Sequence, residues 1–238
     1  MFPLTKLNRD LFWVPLTLGI ALTACTNQPK SKEPLGAMYF KGYGCINCHR
    51  IGNEGGQGAY GPDLTYVGFR KTPEWLDLWF KNPHAWKSNT PMPNFNLPDN
   101  VRQALVDYLS AQKGEIYRQN PPWNTPELMA DSVKRGAVIY DRVGCVGCHG
   151  RGGVGGYPNN NVMGGMIPAL TKVAEGYSKE ELKVKIRTGV KPAKNDMTKP
   201  APMIYMPTWG DVLKDDEIDA LADYLISLKP KVASSSDF

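Results

Sequence analysis

Apolar side chains recur at the spacing of one helix face in two segments, one near the middle of the chain and one near its end. The residues that share these faces are Val101, Ala104, Leu105 and Tyr108, and then Ile218, Leu221, Ala222 and Leu225. Because positions i, i+3, i+4 and i+7 lie on one side of an α-helix, both segments are predicted to be amphipathic helices. Asp99 and Asp215 are predicted as their N-caps, and Thr72 and Ser178 are predicted to begin a shorter helix in each half.

Another amphipathic helix is predicted to begin at Asp131 or Ser132. It contains Gly136–Ala137, and the first half contains Gly36–Ala37 in the same register. Glycine has no side chain beyond a hydrogen, so these pairs would let another helix cross closely. The repeated order of helices predicts two domains of the same plan.

The domain boundaries follow from this repeat and from the prolines between its two copies. Residues 35–112 and 131–230 are the predicted domains, 113–130 is the linker, and 231–238 is a tail. A chain of 238 residues is long enough for two domains at about 100 to 200 residues each. Because the elements predicted in both copies are helices, the fold class is predicted to be all-α.

The net charge is small. Twenty-eight basic and 23 acidic residues give +5, and this falls to +4 without residues 1–24, which contain Lys6, Arg9 and Asp10. A nucleic-acid interface is normally strongly basic, so this charge gives little support for nucleic-acid binding.

The chain contains the sequence Cys-x-x-Cys-His twice. The first motif is Cys45–His49, and the second motif is Cys145–His149. Two such thiols can add to the vinyl groups of a haem, and the adjacent imidazole can ligate the iron. Zinc is the first alternative, but structural zinc pairs usually lie about 12 to 20 residues apart, and these lie in different halves. A thioredoxin-like redox pair needs a βαβ context, and neither flank reads as strands.

At these motifs the chain resembles the class I cytochromes c, and specifically a tandem dihaem member. The resemblance implies two small helical bundles, each built around one covalent haem c, whose first and last helices cross. It implies that haem is attached by Cys45, Cys48, Cys145 and Cys148, with His49 and His149 as proximal iron ligands. Each half is small for a core of its own, so the haem is expected to supply much of the apolar surface.

The resemblance also implies a carbonyl partner for each proximal imidazole. In the family, a proline carbonyl accepts a hydrogen bond from the second ring nitrogen, which nominates Pro62 and Pro168. The alternative is that both are ordinary turn prolines.

A methionine is the distal ligand in this family. Met92 and Met206 each stand in a Met-Pro pair before the last helix of their half, so they are the expected distal ligands. Met203 is the alternative distal ligand to Met206, and His84 is the alternative to Met92.

The fifth cysteine, Cys25, follows a basic segment and the apolar run Leu11–Ala21. Leu22–Cys25 resembles the bacterial lipobox, so residues 1–24 are predicted to be a signal peptide, Cys25 a lipidation site and 25–34 a tether. An uncleaved signal anchor is the alternative. Both predict export, to the periplasm or the outer face of a membrane.

These features together predict an electron-transfer protein with two covalent haems, and not an enzyme in its own right. Its expected partners are redox proteins or subunits of a respiratory complex, with no small-molecule substrate. A free shuttle and a complex subunit share the same motifs. The alternatives are a dihaem peroxidase-type enzyme and a haem-based sensor, both of which need an open coordination position at one iron.

Overall fold

A computed structural model describes residues 33–56 and 60–228. The predicted signal peptide, the lipidation site Cys25, most of the tether and the tail at 231–238 lie outside the described residues. In the described ranges the chain is built of helices with one short antiparallel hairpin, in which Arg50 pairs with Gly55. The prediction of an all-α fold is confirmed.

The first half contains six helices and the hairpin. In chain order they are α1 (Leu35–Gly42), α2 (Cys45–Cys48), β1 (Arg50–Ile51), β2 (Glu54–Gly55), α3 (Val67–Arg70), α4 (Pro73–Lys81), α5 (Pro83–Trp86) and α6 (Asp99–Ser110).

The second half follows a similar order within the described residues. Its helices are α7 (Pro126–Met129), α8 (Ser132–Arg142), α9 (Val146–His149), α10 (Val173–Gly176), α11 (Lys179–Thr188) and α12 (Asp215–Ser227). Short 3₁₀ turns connect some of these helices, at Glu115–Tyr117, Arg151–Gly153, Met163–Gly165 and Trp209–Asp211.

Three of the predicted helix starts are present in the structure. The Thr72 side chain accepts a hydrogen bond from the Trp75 amide at the start of α4, and Asp131 caps α8 through the Lys134 amide. Ser178 begins α11 in a capping box with Glu181. Each cap satisfies a backbone N–H that has no partner within its helix.

The predicted N-caps Asp99 and Asp215 are wrong by one residue. Each is already the first residue of its helix, and the cap positions belong to Pro98 and Lys214. The Asp99 carboxylate pairs with Arg102 at 2.6 Å instead of capping the helix. A carboxylate in the first turn still interacts favourably with the helix dipole, so sequence alone does not separate the two positions.

In each half two helices cross at a glycine, α1 with α6 and α8 with α12. A Cβ atom at Gly36 in α1 would overlap the carbonyl oxygen of Ala104 in α6, and one at Gly136 in α8 would overlap the carbonyl oxygen of Ala220 in α12. The Gly-Ala pairs therefore act as the sequence predicts, because each lets two helix backbones approach without an intervening side chain.

The segment predicted as an interdomain linker places two aromatic side chains, Tyr117 and Trp123, in the core. Trp123 is 1% exposed, and its indole nitrogen donates to a Glu217 carboxylate oxygen on α12 at 2.6 Å. The Tyr117 hydroxyl donates to the Gly52 carbonyl oxygen in the first half at 2.7 Å. One segment thus contacts both halves, and the described residues from Glu33 onward cluster as one compact unit.

The described part of the chain contains no helix that is both long enough and apolar enough to cross a bilayer.

We predict that alanine at either crossing glycine destabilises the protein. In Gly36→Ala and Gly136→Ala the added methyl group must push the helices apart, which costs about 1 to 3 kcal/mol in the free energy of unfolding. Gly42→Ala is the matched control, since a Cβ atom there meets nothing within 4 Å. We expect that control to be neutral or more stable by up to about 1 kcal/mol. Denaturant titration measures the three values, and equal effects at Gly36 and Gly42 would contradict the close crossing.

Candidate functional site

A cavity of about 570 Å³ opens beside the first motif and is called the main cavity below. Cys45, Cys48 and His49 line it, and Met92 lines it as well. Most of its other lining side chains are apolar, and several come from the second half, including Cys148. His149, Pro168 and Met206 are not among the lining residues.

The first motif forms one helical turn. Gly44 precedes it in the left-handed conformation, with φ of 72°, and the His49 amide donates to the Cys45 carbonyl oxygen at 2.9 Å. The turn brings Cys45 and Cys48 to neighbouring positions on one helix face. A rigid cofactor attached at two points needs this spacing.

The His49 ring is fixed by the carbonyl of Pro62. Nδ1 lies 2.9 Å from the Pro62 oxygen, and since a carbonyl only accepts, Nδ1 carries the proton and Nε2 keeps its lone pair for a metal. Gly61 packs against the ring so closely that a Cβ atom there would overlap it. Burial lowers the pKa of His49, which favours the neutral, ligating form.

The second motif repeats this geometry. Gly144 precedes it with φ of 87°, and the His149 amide donates to the Cys145 carbonyl oxygen at 2.9 Å. His149 Nδ1 lies 3.1 Å from the Pro168 carbonyl oxygen, and burial lowers the pKa of this imidazole too. Both imidazoles are thus held by a proline carbonyl.

None of the four motif cysteines forms a disulfide within the described residues. Burial raises the pKa of Cys45 to about 11 and that of Cys145 to about 12. Neither of these two therefore has the activated thiolate of a thioredoxin-type pair. Among the described residues no group of three or more His, Cys, Asp or Glu side chains could hold a metal ion, so the zinc alternative finds no support there.

Among the residues that line the main cavity, the Met92 sulfur accepts a hydrogen bond from the Trp79 indole nitrogen at 3.0 Å. Sequence reasoning did not identify this contact. His84, the competing ligand, is exposed and does not line the cavity.

The two candidate methionines of the second half lie in different surroundings. Met206 pairs through its backbone with Val190 and packs against the second-half core. Met203 packs against the apolar cluster of the first half, and its amide donates to the Asn160 side chain at 3.1 Å.

Three buried polar groups line the main cavity that sequence reasoning missed. They are Arg70, Lys71 and Trp75, which are 5%, 8% and 8% exposed. Arg70 Nε and Trp75 Nε1 have no hydrogen-bond partner among the described residues. Lys71 Nζ lies 4.1 Å above the Trp75 ring, and burial lowers the pKa of this amine. No spacing in the sequence separates Arg70 and Lys71 from ordinary surface cations.

The residues of the main cavity fit a haem. That group needs an apolar slot for its ring, nitrogen or sulfur donors for its iron, and donors or cations for its two carboxylates. His49 and Met92 offer the first kind of donor, and the buried cations Arg70 and Lys71 offer the second. A buried cation is costly unless a negative group pairs with it, and a carboxylate would do so.

The buried carboxylate of Asp63 belongs to the residue that follows Pro62, whose carbonyl holds the His49 ring. Asp63 is 3% exposed and accepts hydrogen bonds from the amide and hydroxyl of Thr65 and, at 3.3 Å, from the Tyr117 hydroxyl. Arg142 Nε of the second half lies 3.6 Å from the same carboxylate. Burial outweighs these partners and raises the pKa of Asp63 to about 6.

Comparison with known proteins gives a match over most of the chain. The family model described as Cytochrome c matches residues 35–113 and 133–229. A chain of the solved Kuenenia stuttgartiensis reducing HAO-like protein complex is 20% identical, and the alignment covers 85% of this chain and 99% of that one with a TM-score of 0.30. No curated protein sequence matches the chain.

We predict that Asp63 makes stability fall as the pH rises. The pKa of Asp63 is about 6 in the folded protein and 3.8 in the unfolded chain. Its stabilising contribution to the free energy of unfolding is therefore complete below about pH 4 and is lost as the pH rises past about 6. The loss amounts to about 3 kcal/mol, since one pKa unit corresponds to about 1.4 kcal/mol. Denaturant titrations across this range, with Asp63→Asn as the control, measure it. A variant whose pH slope equals that of the parent would contradict the assignment.

Proposed function

Since the chain belongs to the cytochrome c family, we propose that it is a dihaem electron carrier that exchanges single electrons with redox partner proteins. The supporting observation is the repeated hydrogen bond from a motif histidine to a proline carbonyl, at His49–Pro62 and His149–Pro168. Membership of the family implies covalent haem and electron transfer, and two matched segments support a count of two haems.

The proposed roles of the motif residues follow from their positions. One haem would be held by Cys45 and Cys48, with His49 as its proximal ligand, and the other by Cys145 and Cys148, with His149. Haem iron supplies the chemistry by exchanging one electron between its ferrous and ferric states. The proline carbonyls orient the imidazoles and raise their basicity, which strengthens the bond to the metal.

Met92 and Met206 are the proposed distal ligands. Trp79 would hold the Met92 side chain through one sulfur lone pair, which leaves the other lone pair for the iron. Imidazole and thioether ligation raises the reduction potential relative to harder donors and leaves no position open for a substrate. We therefore propose that the chain is not an enzyme by itself.

The proposed location is the outer face of a membrane, with the chain exported and anchored by lipid at Cys25. The lipobox-like sequence supports this proposal. Confinement to a membrane surface would raise the effective concentration of the carrier near membrane-bound redox partners. We propose a subunit or partner of a respiratory complex, with a free shuttle as the other form of the same function.

The test of the proposed function is the haem content and coordination of the purified chain. We expect two thioether-bound haems and low-spin spectra with bound methionine at both irons. A peroxidase-type enzyme or a gas sensor would show one five-coordinate iron that binds carbon monoxide rapidly. That result, or a single haem, would overturn the proposal.

Substitution separates the two candidate ligands of the second half. We predict that Met206→Ala keeps both haems attached, lowers the reduction potential of one centre and opens that centre to carbon monoxide. Met203→Ala is the control and should leave the methionine ligation spectrum unchanged. The reverse pattern would assign the ligand to Met203.

Lipid anchoring has its own test. We predict that Cys25→Ser moves the protein from the membrane fraction to the soluble fraction, because serine has no thiol to which the lipid can be attached. Retention of the variant on membranes through a high-salt wash would instead support an uncleaved apolar anchor or docking to a membrane complex.

A further inference from the structure

The guanidinium of Arg70 lies between the two segments that carry the motifs. Its Nη1 donates to the Gly144 carbonyl oxygen at 3.1 Å, and its Nη2 donates to the Asp63 carbonyl oxygen at 2.9 Å. A planar guanidinium can hold two acceptors in fixed directions at once. Arg70 thus connects the first half to the backbone of the second.

Each of the two acceptors is next in sequence to a residue with a proposed role at a haem. Gly144 is bonded to Cys145, and Asp63 is bonded to Pro62, whose carbonyl holds His49 at 2.9 Å. Three hydrogen bonds and the short covalent links between them therefore join the second attachment motif to the proximal imidazole of the first.

Close packing accompanies this chain of hydrogen bonds. A methyl group on Gly147, inside the second motif, would come 3.0 Å from Arg70 Nη1 and 3.4 Å from Pro62 Cβ. One on Gly144 would come 2.6 Å from Arg70 Cζ. The backbone of the second motif thus packs directly on the residues that support His49, and glycine is needed for this approach.

The arrangement is not repeated in the second half. Counted from the matching Pro62 and Pro168, the position of Arg70 corresponds to Gly176. A Cβ atom at Gly176 would meet nothing within 4 Å. If this arginine served only the haem of its own domain, both halves would need one, so its occurrence in the first half alone points to a role at the junction.

We propose that Arg70 is a positioning residue that holds the second attachment motif against the proximal side of the first centre and carries the electronic coupling between the two haems. This inference rests on the proposed function. The step moves one electron from a ferrous centre to a ferric one, and no bond forms or breaks and no proton moves.

Two substitutions of Arg70 in the full haem-loaded chain test this role. Arg70→Gln removes both the charge and the bridge, whereas Arg70→Lys keeps the charge but cannot hold two carbonyls in fixed geometry. Reduction by a fraction of one electron equivalent, followed by time-resolved spectroscopy, gives the rate of electron equilibration between the centres. Potentiometry gives both reduction potentials, and hydrogen exchange of the Gly147 amide, which donates to Gly144, reports the order of the second motif.

We expect both variants to slow equilibration on the order of tenfold, which is equivalent to about 1.4 kcal/mol on the barrier. We also expect faster exchange of the Gly147 amide in both. Only Arg70→Gln should lower the reduction potentials, because only it removes a positive charge near the haems. Should Arg70→Gln fail to accumulate, Arg70→Lys decides the outcome, since it keeps the buried charge.

Arg142→Gln is the matched control. Arg142 is also buried at the junction, donates to the Gly52 carbonyl oxygen at 3.1 Å and lies 3.6 Å from the Asp63 carboxylate, but it donates to neither of the two carbonyls that Arg70 holds. We expect this variant to lower stability and to keep the parent equilibration rate. An unchanged rate in both Arg70 variants, or equal slowing in Arg142→Gln, would overturn the inference while leaving the proposed function intact. Fewer than two attached haems in the parent would overturn the proposed function itself.

Discussion

The hydrogen bond from a half-buried imidazole to a proline carbonyl is the interaction on which the rest of each half depends. It forms across 13 residues in the first half and 19 in the second, so the chain after each motif must turn back on itself. Glycines with positive φ make that return possible, and Gly61 can lie on the His49 ring only because it has no side chain. A longer loop costs little extra entropy, which explains why two loops of different length end in the same contact.

The two halves share a plan but are joined by groups that only one of them has. Asp63 and Arg70 stand where the second half has Ala169 and Gly176. Arg142 approaches the Asp63 carboxylate from the other side of the junction. Charged groups this deeply buried are costly unless they are paired, so this network specifies one relative arrangement of the halves. The two halves therefore differ in the residues that form the junction between them.

Much of the fold could be predicted from sequence because its signals are local. The helix periodicity, the caps at Thr72 and Ser178 and the crossing glycines each follow from residues a few positions apart. Arg70 and the buried face of the linker could not be predicted, because their partners lie in the other half of the chain. The carbonyl contacts of Pro62 and Pro168 came from family resemblance, since a proline in a turn gives no sign of what its oxygen contacts.

The connecting segment, through its two buried aromatic side chains, also limits how the chain can be divided. Trp123 and Tyr117 occupy surfaces of both halves, so either half without this segment would present an uncovered apolar face to water. The halves are consequently not interchangeable modules, although each has its own attachment motif. A shortened protein with a single redox centre would have to retain residues 113–130 or receive a redesigned surface in their place.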